Sequence, residues 1–171
     1  QKFMDNMEVS DLTAYLSVVK ECIADRTLLL WMADEEEQSV IHKLGWHGGL
    51  NEDPENPQAG VYYNVAYASK MGWFLNMDTQ MGERVQNADG SYTYPVTVTF
   101  SNVMTEEERR QASNYIMGVH GGAIYGCAYF FAPAGGTVSD FKASNGLNIT
   151  LHEYHGLQLG YMNSFNTYAG T

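Results

Sequence analysis

Apolar residues recur at helical spacing over the first fifty positions and at alternate positions through most of the remainder. Leu12, Tyr15, Leu16, Val19 and Ile23 fall on one helical face behind Ser10, which has the chemistry of an N-cap. Thr27–Met32, TLLLWM, is a short continuous apolar run between two helical patterns and predicts a strand buried on both faces. Asp34 with Glu37 three residues on has the form of a capping box, and Val40, Ile41 and Leu44 give the following helix an apolar side before Gly45. Residues 1–50 therefore read helix, strand, helix. A lone strand leaves its backbone groups unpaired, so its neighbours are expected either in the later sheet or in an upstream α/β domain of which this segment is the tail.

Residues 51–59, NEDPENPQA, hold two prolines and three acids with no large apolar side chain, and read as a linker. Beyond it the pattern turns to strand. Gly60–Met77 predicts two aromatic strand segments joined at Ser69-Lys70, the second running on from Trp73 to Val85. In YPVTVTF, Val96, Val98 and Phe100 point one way and Thr97 and Thr99 the other, and Pro95 puts the start of that strand at an edge or bulge. Thr105 precedes a short acidic helix in which Glu106 is spaced to meet Arg110. Ala123–Ala132 is the most apolar strand. Asn145-Gly146 predicts a hairpin between 138–143 and 147–152, and a last strand is expected over Leu157–Met162. Strands at this spacing without βαβ alternation predict an α+β chain: mainly an antiparallel β-sandwich over 60–171, after the helix-strand-helix segment.

Composition narrows the function. The 9 Lys and Arg against 20 Asp and Glu give a formal charge of −11, which repels nucleic-acid phosphates and anionic lipid surfaces, so no nucleic-acid partner is expected. With 44% hydrophobic and 17% charged residues the chain is a packed globular one. Cys22 and Cys127 read as free thiols, one on a helix and one on a strand. The longest apolar stretch, 123–136, falls short of the roughly 20 residues of a spanning helix. The start on Gln1 reads as a piece of something longer, with any membrane anchor outside it.

Catalytic and metal patterns are weak. His152-Glu-Tyr-His155 is not H-E-x-x-H, and residues three apart on a strand face opposite sides. His42, His47 and His120 read as surface or packing residues. No G-x-S-x-G and no phosphate loop occurs, and the acidic runs 34–37 and 106–108 sit at helix starts, where the dipole accounts for them. No catalytic residue, metal ligand or cofactor is therefore assigned; the acidic balance leaves divalent ions open without an EF-hand pattern. Asn148-Ile-Thr150 matches a glycosylation sequon. Tyr62, Tyr67, Trp73 and Phe74 form either core packing or a sugar-stacking platform. Lys70, a scarce cation in an aromatic segment near Asn64, needs a charge partner or ligand if buried and otherwise snorkels to water. Lys70, Asn64, Tyr62 and Trp73 are the candidate ligand-binding residues.

The order of Arg26-Thr-Leu-Leu-Leu-Trp31, Glu37-Gln38, Leu44-Gly45-Trp46, Val61-Tyr-Tyr-Asn64 and Ser69-Lys70-Met71 resembles domain-of-unknown-function family 4012, envelope proteins of high-GC Gram-positive bacteria. Later landmarks are Val96–Asn102, Tyr115–Gly118 and Phe131-Ala-Pro133-Ala-Gly135. The resemblance implies a membrane anchor near the start of the full-length protein, an outer α/β domain, and then a β-rich end that includes this chain. It implies an extracytoplasmic location, and an envelope polymer or another envelope protein as partner. The implied function is a non-catalytic module for assembly or recognition. The alternative is an accessory part of an enzyme attaching polymers to the cell wall, with its catalytic arginines and acids before Gln1 and a basic pocket around Lys70 and Arg26.

Overall fold

The computed structural model of the protein describes residues 9–50, 53, 55 and 57–170, with side chains from residue 13 onward. The chain divides into two compact units, Gln1–Leu50 and Asn51–Thr171. Of the linker residues, 51, 52, 54 and 56 lie outside the described set, as do the side chains of Ser10 and Leu12.

In the first unit, α1 (Val9–Ala24) and α2 (Glu35–Lys43) flank an extended segment. The Asp34 carboxylate accepts from the backbone N–H groups of Glu36 and Glu37, which caps α2 as its sequence requires. Ile41 is buried, whereas Val40 and Leu44 are about half exposed. The strand expected over 27–32 does not form. Its backbone groups find local partners instead: Leu28 N–H donates to the Cys22 carbonyl, Leu30 N–H to the Trp46 carbonyl, and Met32 N–H to Gln38 Oε1. An extended run satisfied in this way needs no sheet.

The second unit is built on antiparallel sheets, so the chain is α+β. Its main sheet has the order β1 (Gly60–Val65), β6 (Ile124–Phe131), β8 (Leu157–Thr167), β7 (Thr150–Tyr154). A second sheet pairs β2 (Leu75–Met81) with β5 (Val96–Asn102), and β3 (Val85–Gln86) with β4 (Tyr92–Thr93) makes a small ribbon. The second aromatic segment is corrected at its start: Met71–Phe74 is a 3-10 turn, because Met71 must turn inward to full burial. The short helices α3 (Glu106–Gln111) and α4 (Asn114–Met117) lie between β5 and β6. Thr105 and Glu108 complete a reciprocal capping box on α3, and Glu106 pairs with both Arg109 and Arg110.

The hairpin expected at Asn145-Gly146 is also corrected. A turn does form there, with Gly146 N–H donating to the Ala143 carbonyl, but 138–143 is not a strand, and the strand expected over 147–152 begins only at Thr150 and pairs with β8 instead. Phe141, Ala143 and Ile149 instead pack against the core cluster. The hairpin that joins β7 to β8 turns at His155-Gly156, where φ is +50° and +75°, the two left-handed residues that match the twist of paired strands.

The core lies on one face of the main sheet. Ile124, Ala128, Met162 and Phe165 meet Met71, Leu75 and Met104, and the Phe165 ring stacks on Phe100 of β5 at 4.4 Å. Asn102 is a buried polar residue: Nδ2 donates to the Gly122 carbonyl at 2.8 Å, and Oδ1 accepts from Met104 N–H at 3.1 Å. Its carbonyl also accepts from Gly170 N–H, which ties the end of β5 to the end of the chain.

Candidate binding face

A period of two sends alternate residues of each strand to opposite sides. In β6, Ile124, Gly126 and Ala128 are buried on the core side, while Tyr125, Cys127, Tyr129 and Phe131 face outward and are half-buried. In β1, Tyr63 and Val65 pack on the core, so Tyr62 and Asn64 face outward. Register then assembles the outer face. Tyr62 lies opposite Tyr129, Tyr129 opposite Tyr161, and Tyr161 opposite Thr150, a row that crosses all four strands. The neighbouring row runs Gly60, Phe131, Leu159, His152. None of these outer positions carries a carboxylate, an ammonium or a guanidinium, although the whole chain bears −11.

The rings meet at aromatic-pair distances. Tyr129 and Tyr161 are 5.3 Å apart, Tyr62 and Phe131 5.8 Å, Phe131 and Tyr154 6.1 Å, and His152 and Tyr161 6.3 Å between ring centres. Polar tips fill the spaces between them. Asn64 Nδ2 donates to the Tyr129 hydroxyl at 3.4 Å, Cys127 Sγ lies 3.4 Å from the same hydroxyl, the Tyr161 hydroxyl donates to Asn163 Oδ1 at 3.1 Å, and Thr150 Oγ1 lies 2.9 Å from His152 Nε2. At one end of the sheet Tyr125 joins Tyr67 and His120, with the Tyr67 and His120 rings 4.3 Å apart.

Tyr125, Tyr129 and Tyr161 have pKa values raised above that of an ordinary tyrosine. The hydrogen bond that the Tyr129 hydroxyl shares with the Cys127 sulfur leads in raising the Tyr129 pKa, against a smaller lowering by the Asn64 amide. Desolvation raises Tyr161, and the hydrogen bond with Tyr168 raises Tyr125. With no carboxylate, ammonium or guanidinium in its rows, the face is studded with donors and acceptors. Its chemistry suits noncovalent recognition.

The four candidate residues separate into two pairs. Tyr62 and Asn64 belong to the outer face. Lys70 and Trp73 belong to the 3-10 turn, where Lys70 is exposed with its ammonium 5.6 Å from the Tyr115 ring centre, and Trp73 is 83% exposed. Lys70 is therefore solvated, and the argument from a buried cation does not apply to it. Of the expected stacking platform, Phe74 packs on the core and Tyr67 sits with His120 and Tyr125. Sequence reasoning missed Tyr129, Tyr154 and Tyr161. Alternation of Tyr125, Tyr129 and Phe131 with small Gly126 and Ala128 was the available signal, masked by the overall apolarity of the strand.

Cys22 and Cys127 are free and half-buried. His155 sits on the β7–β8 turn, and among the described residues no group of three or more His, Cys, Asp and Glu stands ready for a metal. No helix among them is long and apolar enough to cross a membrane. In the first unit a cleft of about 310 Å³ is lined by Lys20 and Arg26 over Ile23, Leu44 and Trp46. No protein-family model matches the chain, and no curated protein or solved structure matches it either.

Proposed function

We propose that the chain is a non-catalytic, extracytoplasmic module for recognition or assembly at the bacterial cell envelope, and that the outer face of the main sheet is its contact surface. The observation that carries this reading is the uncharged row Tyr62, Tyr129, Tyr161 with Asn64 and Asn163 beside it, a concentration of aromatic surface that a fold core does not need. Its location rests on a motif order that resembles family 4012, and the same reading takes residues 1–50 as the tail of an upstream α/β domain, 51–59 as a linker, and 60–171 as a sandwich-like domain. Stacking of Phe100 on Phe165 across the two sheets supports the sandwich.

Co-sedimentation with purified cell walls of a high-GC Gram-positive bacterium tests the reading. The chain is expected in the pellet, and the Tyr129→Ala, Tyr161→Ala double variant in the supernatant. A wild-type chain that stays soluble, or a double variant that pellets equally, would overturn it. The alternative, an accessory part of a polymer-attaching phosphotransferase, draws on the Lys20–Arg26 cleft. It predicts that pyrophosphate shifts the amides of Arg26 and Trp46, and no such shift removes it.

A further inference from the structure

The geometry points to an uncharged polysaccharide chain as the occupant of the outer face, laid across the strands along Tyr62, Tyr129 and Tyr161; this rests on the recognition reading above and names its ligand class. Three features select that class. First, charge: a chain of −11 excludes anionic polymers from its surroundings, and the face lacks any cation that would recruit a phosphate or carboxylate to it locally. Lys70 and Arg109, which lie outside these rows, are directed to Tyr115 and Glu106. A cationic polymer has no carboxylate to meet there either. Charge complementarity therefore favours a neutral occupant.

Second, surface chemistry: a sugar ring has one or both faces of C–H groups and a rim of hydroxyls. Aromatic rings take up the C–H faces, and hydroxyls need both donors and acceptors. The outer face supplies both along the tyrosine row and the rows on either side of it: the amides of Asn64 and Asn163, the imidazole of His152, the hydroxyl of Thr150 and the tips of Tyr129 and Tyr161. A protein partner of the same area would be expected to meet an apolar centre with a polar rim, whereas here polar tips and rings alternate throughout the face.

Third, rigidity: the rings rest on four hydrogen-bonded strands and against one another, with Tyr129 and Tyr161 inclined by only 31°. Little side-chain freedom is left to lose on binding, which is what a weakly binding, repetitive ligand requires.

The test is an amide NMR and calorimetric titration of the chain with uncharged hexasaccharides built on glucose, mannose, galactose and N-acetylglucosamine, alongside two anionic probes, hexagalacturonate and poly(glycerol phosphate). At least one neutral probe is expected to shift the amides of β6 and β8. Tyr129→Ala and Tyr161→Ala are each expected to weaken it about tenfold, with Tyr161→Phe intermediate and Trp73→Ala within about twofold of wild type. Unchanged spectra of the core amides keep loss of folding apart from loss of contact. Shifts on this face from an anionic probe alone overturn the ligand class and leave the recognition reading standing. Shifts confined to Trp73 and Tyr115 overturn the assignment to this face. Silence from every probe overturns the inference, and if the chain also fails to pellet with cell walls the recognition reading falls with it.

Discussion

The main sheet turns two unlike faces outward from the same four strands. Toward β2 and β5 it presents Ile124, Ala128, Met162 and Phe165, each at most 5% exposed. On the opposite side it presents Tyr62, Tyr129 and Tyr161, all half-buried, with the Tyr129 and Tyr161 hydroxyls hydrogen-bonded. The inner face is filled by shape. Gly126 shows how tightly, since a Cβ there would lie 2.6 Å from both the Asn64 carbonyl oxygen and the Phe165 ring. The outer face is filled by rings that touch sideways and leave their polar tips to solvent or ligand. One face is the packed core and the other the proposed contact surface, and substitutions should separate them.

Ile124→Ala gives the largest effect. The side chain is fully buried at the centre of the core, so its truncation should cost about 2–5 kcal/mol, read from urea unfolding monitored by circular dichroism. A cost below about 1 kcal/mol would mean that the inner face collapses around the loss and is not the close-packed side. Asn102→Ala follows. It removes the partners of the Gly122 carbonyl and the Met104 N–H in a buried site, at about 1–3 kcal/mol. Restored stability in Asn102→Asp would show that the Met104 contact dominates, because a carboxylate can still accept from that N–H but an ionised one cannot donate to Gly122.

How far this division was legible depends on where each strand's partners lie. The Thr105 and Asp34 caps, the alternation in 96–100 and the apolar run 123–132 are local signals, and each produced the expected element. Thr27–Met32 carried a strand's composition, but pairing is nonlocal, and its donors found carbonyl and amide oxygens within sixteen residues or fewer of themselves. Asn145-Gly146 had the stronger hairpin sequence, yet Phe141 and Ile149 were drawn onto the core beside it. His155-Gly156 made the hairpin although histidine at φ +50° advertises little. The site was legible only by half. Tyr62 and Asn64 stand on β1, but the rest of the row came from β6 and β8, and only register can bring residues 62, 129 and 161 into line.

Tyr161→Ser should sharpen the contrast from the other side. The side chain is half-buried and meets Tyr129 and His152, so the cross-strand contacts are worth about 0.2–1 kcal/mol each, and unfolding should shift by little more than that. A cost as large as that of Ile124→Ala would mean that the outer face is a second core, and the case for it as a contact surface would go.

The smallest effect is the most specific to the outer face. Tyr125, Tyr129 and Tyr161 all have pKa values raised above the ordinary tyrosine value, by the Tyr168 hydrogen bond, the Cys127 hydrogen bond and desolvation respectively. A phenol whose folded pKa exceeds its unfolded one binds its proton more tightly in the native state. Its stabilisation is fully present below the ordinary value near pH 10 and is lost as pH rises through the raised one. Ultraviolet difference titration of phenolate should therefore show a late-ionising set of tyrosines that shrinks in Tyr129→Phe and Tyr161→Phe, while Ile124→Ala leaves it in place under native conditions. Unfolding midpoints should stay flat up to about pH 10 and decline above it. If the two phenols instead ionise early, cations or water reach the face in solution, and the neutrality that selects an uncharged ligand is lost.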